Sequence, residues 1–287
     1  MRDAFDVIGK ASDSTDVTVN GQLATRRDEY FHVEIEIQTG SGASHTPYRV
    51  EATNSSGTTT RNGGKFLPAT PENYIDDFDG NLTSDGRFIY TWDAENRLIG
   101  MQTHASVPIA ARRKLAFAYD SMGRRIRKTV MYPSTNGGWQ HHHQIDFIYD
   151  LNGWNLLAER SSGRANAFLR TYTWGTDLGG QGGSPSRGMQ SAGLSAIASA
   201  TAGGVGGLLF TTFHLSNTTL ASGMDLNGNV TLLINTATGQ PAAIYDYGPF
   251  GEPIRQSGEY ATLNPFRFST KYTDNETGLL YYGYRYY

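Results

Sequence analysis

The sequence of 287 residues has no cysteine, few charged residues and no long apolar run. The lack of cysteine excludes disulfides and thiolate metal sites. Charged residues make up 18% and the net charge is −3, which argues against a general nucleic-acid or membrane-surface binder. The least polar stretch, residues 193–210, is rich in Gly, Ala, Ser and Thr and slightly short for a membrane span. The acidic N-terminus lacks the apolar run of a signal peptide.

Signatures of catalysis are also scarce. The chain has neither a cysteine nucleophile nor a Gly-x-Ser-x-Gly elbow, and the glycines at 203–207 lack the Gly-x-Gly-x-x-Gly spacing. The acids at 76–79 and the pair Asp274 and Glu276 fall at predicted turns, where carboxylates cap backbone donors. The histidines at 141–143 are interpreted as a polar hairpin flank rather than as metal ligands. We therefore expect no enzyme activity, no cofactor and no bound metal.

The composition that is present favours strands and tight turns. Gly occurs 34 times and Tyr 17 times, and aromatic residues reach 12%. Residues 31–38 alternate strictly between apolar and polar, as in a half-buried strand, and residues 17–19 and 48–52 resemble neighbouring strands. A Ser/Thr/Gly/Asn-rich stretch at 54–64 predicts a turn or linker. We expect a β-sandwich-like, Ig-like module at 1–68 and a second region at 69–287.

A short pattern recurs through the second region: Asp, two free positions, Gly or Asn, then a polar or bulky residue and apolar positions. An aromatic residue often precedes the Asp. The residues assigned to these repeat turns are Asp77, Gly80, Trp92, Asp93, Asn96, Tyr119, Asp120, Gly123, Tyr149, Asp150, Gly153, Asp225, Gly228, Tyr245 and Asp246.

The repeated pattern has a physical basis as a hairpin. The Asp side chain accepts a hydrogen bond from a backbone N–H two residues on, which starts a type I turn. Gly or Asn three residues later tolerates the left-handed conformation that closes the hairpin with a bulge. The flanking aromatic and aliphatic residues then face each other on paired strands. The aspartates are irregularly spaced and helical periodicity is lacking, so we predict an all-β fold built as an antiparallel ribbon of hairpins.

These residues resemble the Rhs/YD-repeat family. Tyr119-Asp120-x-x-Gly123 is similar to the Tyr-Asp core of the family's repeats, and so is the run at 79–98. Residues 264–287 look like the Rhs repeat-associated core, which we place at about 240–287. The resemblance covers roughly residues 70–287. The core-motif residues are Asn264, Pro265, Arg267, Phe268, Asp274, Glu276, Gly278, Tyr282, Tyr284 and Arg285.

The resemblance implies a strip of hairpins that winds into a hollow shell around a toxin, in a secreted or cell-surface bacterial protein. Its partners would be the rest of a larger Rhs protein or a toxin cargo, with neither nucleic acid nor a membrane span involved. In the family the core continues into Asp-Pro segments whose aspartates cut the chain. The matching positions are not in this sequence, which ends at Tyr287.

Three functions follow, in order of preference: a structural shell or scaffold segment, a carbohydrate or cell-surface binding module, and a remnant of an aspartic self-cleaving core. The terminal tyrosines could form a sugar-binding platform, but we favour a closing strand with Tyr282, Tyr284 and Tyr286 on one face. The basic run at 124–128 is interpreted as a solvated strand and turn face. Open sheet edges predict either edge-to-edge dimers or capping by the loop at 180–207.

Overall fold

The structure is a computed structural model that describes residues 3–37, 43–69, 71–151, 153–163, 167–176 and 204–287. Regular structure in these ranges is strand, apart from 3-10 turns at Ile109–Ala111 and Phe268–Thr270. Each described strand pairing is antiparallel. The predicted all-β, antiparallel fold is confirmed.

Two compact units make up the chain: Met1–Lys114 with Tyr132–Trp139, and Leu115–Met131 with Gln140–Tyr287. The strands up to residue 103 are β1 Asp3–Lys10, β2 Asp16–Val19, β3 Gln22–Leu23, β4 Thr25–Arg27, β5 Tyr30–Ile37, β6 Ser44–Asn54, β7 Gly57–Leu67, β8 Ile75–Asp76, β9 Leu82–Ser84, β10 Phe88–Trp92 and β11 Leu98–Thr103. The later strands are β12 Lys114–Tyr119, β13 Arg125–Pro133, β14 Trp139–Tyr149, β15 Leu156–Ser161, β16 Phe168–Trp174, β17 Leu208–Phe213, β18 Thr218–Met224, β19 Val230–Asn235, β20 Pro241–Tyr247, β21 Pro253–Ser257, β22 Tyr272–Thr273 and β23 Leu280–Tyr281.

Two small sheets lie at the start of the first unit, with the orders β1-β5-β4 and β3-β2-β6-β7. The alternation of β5 is real, because Phe31, Val33 and Ile35 are buried and the residues between them are exposed. Their side chains share one apolar cluster with Val17 and Val19 of β2. The strands at 17–19 and 48–52 therefore belong to the second sheet and pack against β5 through this core, rather than pairing with it as expected.

The stretch at 54–64 is not a linker. It contains the end of β6 and most of β7, which pair over eleven residues, from Ser44 opposite Leu67 to Asn54 opposite Gly57. Small residues suit β7 because rings from β6 cover its glycines: an added Cβ on Gly63 would lie 2.3 Å from the Tyr48 ring. Composition correctly marked the turn at 55–56 but missed the strand that follows it, because the backbone ladder, and not side-chain burial, holds this strand.

The ladder of hairpins follows chain order. In the first unit β8, β9, β10 and β11 are successive neighbours, and in the second unit strands β12 to β21 follow one another in the same way. Every second connection therefore lies at the same edge of the sheet, which we call the rim. In the second unit the turns that start at Asp120, Asp150 and Asp225 lie on this rim, because they join β12 to β13, β14 to β15 and β18 to β19.

Two apolar clusters form the core of the second unit. One surrounds Leu220 and Leu233 of neighbouring strands. The other combines residues of β14 to β17 with aromatic residues from the C-terminal segment at 264–287, among them Phe266 and Tyr272. The C-terminal segment is thus part of the core, and its two short strands, β22 and β23, pair with each other.

The domain boundary near residue 68 stays a prediction. Of the glycine-rich loop at 180–207, residues 180–203 lie outside the described residues, so the predicted capping of a sheet edge also stays a prediction. Among the described residues, no helix is long and apolar enough to cross a bilayer.

Candidate functional site

Asp120 shows how a rim turn is built. Its Oδ1 atom accepts hydrogen bonds from the backbone N–H groups of Met122 at 2.9 Å and Arg124 at 3.0 Å. Gly123, at φ 77°, donates its N–H to the Asp120 carbonyl, and Arg124 Nε donates to Oδ2 at 2.7 Å. Partial burial would raise the pKa of Asp120, but these bonds and the Arg124 charge lower it below its usual range. The carboxylate is therefore satisfied within five residues of chain.

The same geometry recurs at Asp77, Asp93 and Asp225. Each carboxylate accepts backbone N–H groups two and four residues on, at 2.8 to 3.0 Å. The residues in the left-handed position are Gly80, Asn96 and Gly228, and the fifth residues, which donate a side-chain hydrogen bond to Oδ2, are Asn81, Arg97 and Asn229. Sequence analysis missed the role of this fifth position, although its restriction to Asn or Arg was a visible signal.

Neighbouring turns are also tied to each other. Arg124 Nη1 donates to the carbonyls of Asp150 at 2.8 Å and Gly153 at 2.7 Å. In the first unit, Asn81 Nδ2 donates to Asn96 Oδ1 at 2.9 Å. These bonds run along the sheet edge, perpendicular to the strands, and couple one hairpin to the next.

The turn at Asp150 is one residue longer than the others. The Asp150 N–H donates to the carbonyl of Asn155, five residues on, and Asn155 Nδ2 donates to Asp150 Oδ2 at 3.1 Å. The carboxylate folds over Gly153, where an added Cβ would lie 2.4 Å from Oδ2. Burial raises the pKa of Asp150, whereas the pKa values of Asp77, Asp93 and Asp120 are lowered by their hydrogen bonds.

Asp246 differs from the prediction because it lies in β20 and not in a turn. It faces Arg255 of β21, with Arg255 Nε 2.6 Å from Asp246 Oδ2. The turn follows two residues later, where the Gly248 N–H donates to the Glu252 carbonyl at 2.8 Å. A glycine thus occupies the place that Asp holds in the other turns.

The aromatic residues that precede the turns reach other backbone or side-chain groups. Three of them donate to backbone carbonyls: Trp92 Nε1 to Leu82 at 2.8 Å, the Tyr149 hydroxyl to Arg125 at 3.2 Å and the Tyr245 hydroxyl to Ala261 at 2.9 Å. The Tyr119 hydroxyl shares a hydrogen bond of 2.8 Å with the Tyr286 hydroxyl. Each ring therefore combines apolar packing with one specific polar contact.

A buried ionic anchor joins the C-terminal segment to strand β13. Asp274 Oδ2 lies 2.5 Å from Arg125 Nη1, Asp274 Oδ1 lies 2.8 Å from Lys128 Nζ, and Glu276 Oε2 lies 2.9 Å from the same Nζ. The side chains of Asp274 and Arg125 are each 1% exposed. His143 Nε2 approaches Glu276 Oε1 at 3.3 Å. The anchor consists of these five residues.

Two sequence interpretations are wrong at this anchor. Asp274 and Glu276 were expected to cap a turn with their side chains, and Arg125 and Lys128 were expected on a solvated face. The burial pattern of β13 instead departs from strict alternation, and both cations are buried, three positions apart, beside carboxylates 146 to 149 residues away. Local sequence does not reveal such pairing, because each partner is an ordinary surface residue by composition.

Charge pairing offsets the burial of the anchor. Burial alone would lower the pKa values of Arg125 and Lys128, but attraction to Asp274 raises both. Burial would raise the pKa of Glu276, but hydrogen bonds from His143 and Lys128 hold it far below its usual range. Arg125, Lys128 and Glu276 are therefore charged at neutral pH. Removing Asp274 would leave Arg125 buried without a carboxylate partner.

Aromatic rings enclose the Arg125 guanidinium. Its carbon lies 4.5 to 5.6 Å from the ring centres of Tyr281, Phe147, Tyr272, Phe117 and Tyr286. The Tyr281 hydroxyl also accepts the Arg125 backbone N–H at 2.9 Å. Cation–π attraction in a desolvated site adds to the ion pair. Arg125 therefore contacts rings both from the long strands and from the C-terminal segment.

The first part of the core motif is fixed by its own polar groups. Asn264 is fully buried and its Nδ2 donates to the Phe266 carbonyl at 2.6 Å. Arg267 Nε donates to the Asn264 carbonyl at 3.0 Å, and its Nη2 donates to Asn275 Oδ1 at 2.7 Å. The Pro265 carbonyl accepts the Thr273 N–H. These bonds fold residues 264–275 back on themselves.

The next residues contact two rim turns. The Ser269 N–H donates to Asn229 Oδ1 at 2.7 Å, and the Thr270 hydroxyl donates to the Gly228 carbonyl at 2.6 Å. The Phe268 ring covers Gly251, where an added Cβ would lie 2.7 Å from it. The repeat-turn and core-motif residues thus meet here, and their structural roles remain predictions that substitution can test.

The terminal tyrosines do not form one strand face, contrary to the prediction. Gly283, at φ 92°, reverses the chain, and the Tyr282 N–H donates to the Arg285 carbonyl at 2.9 Å. Gly278, at φ 83°, makes the preceding reversal after Asp274. Tyr281 and Tyr286 are therefore bridge partners facing Arg125, whereas Tyr284 is exposed and its ring centre lies 4.7 Å from that of Trp154.

A second buried carboxylate, Glu159, lies beneath the same segment. Arg170 Nη2 contacts its Oε2 at 2.5 Å, and the Tyr172 hydroxyl donates to its Oε1. Burial and the Glu159 charge raise the pKa of Tyr172 well above its usual value. The Tyr172 ring packs edge-on against Phe266, with ring centres 4.9 Å apart.

An aromatic cavity of about 270 Å³ lies next to the anchor. Its lining includes Arg125, Tyr149, Trp154, Trp174, Phe266, Lys271, Tyr272, Tyr281, Tyr282, Gly283 and Tyr284. Among the described residues, no group of three or more His, Asp or Glu side chains has metal-site geometry. The histidines considered in the sequence instead contact each other, with His142 Nδ1 2.7 Å from His143 Nδ1.

Comparison with known proteins finds relatives over three quarters of the chain. It is 29% identical over 213 residues to the tRNA3(Ser)-specific nuclease WapA of Bacillus spizizenii, and 30% identical over 213 residues to the tRNA(Glu)-specific nuclease WapA of Bacillus subtilis subsp. natto. Each match covers 74% of this chain and 7% of the relative. The chain therefore spans a small part of the length of these proteins. No family model matches it.

Solved structures give weaker likenesses. A crystal structure of TcdB2-TccC3 matches with a TM-score of 0.44 at 15% identity, covering 83% of this chain and 11% of that chain. A TcdB2-TccC3-Cdc42 structure matches with a TM-score of 0.44 at 17% identity, over 83% and 11%. TM-scores below 0.5 do not define the architecture of this chain.

The relatives overturn one expectation. From the sequence we expected a protein without enzyme activity, but the WapA relatives are named tRNA nucleases, so that expectation is withdrawn. The same relatives support the resemblance to Rhs-type toxin proteins that the repeat turns and the core motif indicated.

Proposed function

We propose that this chain belongs to the Rhs/YD-repeat family and forms a wall segment of a larger toxin protein, where it encloses or presents a cargo. The observation that carries the proposal is the ladder of successive hairpins with its C-terminal segment anchored in the core. The similarity to WapA over 74% of the chain adds support.

The geometry suits a wall because the sheet grows as successive hairpins of the chain are added beside one another. Each hairpin contacts the ones before and after it, and the turns are tied along the rim by Arg124 and its counterparts. The C-terminal segment covers one face of strands β14 to β17 with aromatic residues. Such a sheet presents a continuous surface without needing a closed globular core of its own.

Protease protection tests this role in the complete gene product. If the chain is part of an enclosing wall, segments outside the wall sequence resist protease in the intact protein and become sensitive when the wall is opened. Asp274→Asn should open it, and Asp79→Ala, at an exposed turn position, is the control. Digestion of those segments at the same rate in the intact and the opened protein would contradict enclosure.

A second role concerns the toxin itself. The names of the relatives favour tRNA cleavage by the protein that contains this wall. We expect the complete gene product to cleave tRNA, and the assay run in parallel on residues 1–287 locates the activity within or outside this chain. Intact tRNA after incubation with the complete product would count against a nuclease toxin.

The location and the remaining alternatives are part of the proposal. A toxin wall of this kind is expected in a secreted or cell-surface protein, which fractionation of the producing cells would test. Carbohydrate binding has no support from the relatives and remains a prediction that a glycan array checks. Self-cleavage predicts a band shift that an Asp→Asn change abolishes.

A further inference from the structure

The cavity beside the anchor is lined mainly by aromatic rings. Trp174 and Tyr272 both meet Phe266 edge to face, with ring centres 5.3 and 5.8 Å apart. Trp154 and Tyr284 form another wall, with ring centres 4.7 Å apart. A cavity lined by aromatic rings favours an aromatic guest, because contacts between aromatic rings add to the energy of apolar burial.

Most polar groups that line the cavity are already engaged. Arg125 is bound by Asp274, Trp174 Nε1 donates to the Leu156 carbonyl at 2.8 Å, and Asn155 Nδ2 donates to Asp150 at 3.1 Å. The Thr270 hydroxyl donates to a turn carbonyl. Apart from Arg125 Nε, which has no hydrogen-bond partner among the described residues, a guest that entered would find the hydrogen-bonding atoms named here already engaged.

Lys271 is a charged lining side chain of a different kind, because no opposing carboxylate neutralises it within the described residues. Its Nζ lies 5.3 Å above the Tyr282 ring, and within the described part of the chain no carboxylate forms an ion pair with it. Burial lowers the pKa of Lys271, whereas Lys128, only a few residues from Arg125 in β13, has two carboxylates beside it. The cavity thus offers a partly desolvated cation that lacks an anion.

We propose that this cavity binds a small aromatic anion, with the ring held among the aromatic side chains and a carboxylate paired with the Lys271 ammonium. The volume of about 270 Å³ corresponds to roughly nine water molecules at about 30 Å³ each, which fits one aromatic ring with a short acidic arm. The inference rests on the second unit alone and does not depend on the wall function.

Two sources share this chemistry: a free aromatic acid and the C-terminal residue of a peptide that ends in Phe. Gly283 lines the cavity, and an added Cβ there would lie 3.0 Å from the Trp154 ring. A peptide needs room for the chain that precedes its last residue, whereas a free acid does not. The experiment therefore tests both sources side by side.

The test is calorimetric titration of the 287-residue chain with 3-phenylpropionate, with the neutral 3-phenylpropanol as its isostere. We expect saturable binding of the acid at least about tenfold tighter than that of the alcohol. A peptide ending in a free Phe carboxylate, compared with its amidated form, reports the second source. Equal affinity for the acid and the alcohol, or no saturation by any probe up to about 10 mM, would overturn the proposal.

Variants identify the cation. Lys271→Met keeps the apolar stem and should weaken binding of the acid to the level of the alcohol, while Lys271→Arg should retain the preference. Lys65→Met, at an exposed position of β7, is the matched control and should change neither affinity. Circular dichroism of each variant confirms the fold. An acid preference that survives in folded Lys271→Met would contradict the assignment.

Discussion

Asp120 and Asp274 have similar sequence surroundings and opposite electrostatic environments. Each begins a short segment that a left-handed glycine closes, Gly123 in one case and Gly278 in the other. Asp120 is satisfied by residues within four positions, whereas Asp274 is satisfied by cations 146 and 149 residues away. The carboxylate of a rim turn is therefore satisfied locally, whereas the C-terminal anchor is shared between distant parts of the chain.

The largest effect should come from breaking the anchor. Asp274→Asn leaves Arg125 buried beside a neutral group and removes one of the two carboxylates that pair with Lys128, so we expect the free energy of unfolding to fall by about 3–5 kcal/mol. Urea denaturation measures it. Asp246→Asn removes a more exposed aspartate–arginine pair and should cost no more than about 1 kcal/mol. Equal losses for the two variants would show that burial of the anchor does not matter.

Low pH should weaken the same anchor and so lower the free energy of unfolding. The pKa of Glu276 is lower in the folded chain than its ordinary value of 4.5, so its contribution is complete above that pH and is lost as the pH falls below it. We expect a loss of about 2–3 kcal/mol between about pH 7 and about pH 3 from this residue. Denaturation at both pH values, with Glu276→Gln for comparison, checks this; an equally steep acid limb in that variant would exclude Glu276 as the cause.

A rim turn should respond less. Asp120→Ala removes two backbone hydrogen bonds and the contact with Arg124, but water reaches this edge, so the expected loss is about 1–2 kcal/mol. Thermal unfolding measures it. Asp79→Ala, whose side chain lies at an exposed turn position, should stay within about 0.5 kcal/mol of the parent. A loss at Asp120 as large as that at Asp274 would remove the distinction between the two regions.

The smallest effect should have the opposite sign. Lys271 is largely buried without an opposing carboxylate, and its folded pKa is lowered, so its charge costs stability below its unfolded pKa of 10.5. Lys271→Met should therefore raise the free energy of unfolding by up to about 1 kcal/mol near neutral pH. A chemical denaturation curve that shows destabilisation instead would mean that the ammonium has a favourable partner in the fold.

Much of the fold was predictable because its signals are local. The alternation in β5 and the Asp-x-x-Gly/Asn spacing depend on neighbouring residues, and the all-β fold followed from them. Asp246 misled the prediction because an aromatic followed by Asp also occurs inside a strand. The glycine-rich strand β7 was missed for the converse reason, as pairing with β6 overrides its composition.

The candidate site was less predictable. Its residues were visible in part, since Asp274, Glu276 and the terminal tyrosines belong to the core motif, but their environment was not. Arg125 and Lys128 are both buried although they lie three residues apart in β13, which strict alternation does not predict, and Glu276 and Asp274 reach them because the C-terminal segment returns over the sheet. Lys271 gave no sequence signal, because an unpaired buried cation and a solvated one look the same in a linear sequence.

By itself the sequence determined where the hairpins with an Asp-x-x-Gly/Asn turn bend and that the fold is all-β. A carboxylate that bonds N–H groups two and four residues on, with a glycine or asparagine at positive φ between them, requires no help from the rest of the protein. Only the tertiary structure decided which charges are buried, which rings surround Arg125 and where a cavity remains. These features depend on contacts across more than a hundred residues, and their energies exist only once water has been excluded from the packed core.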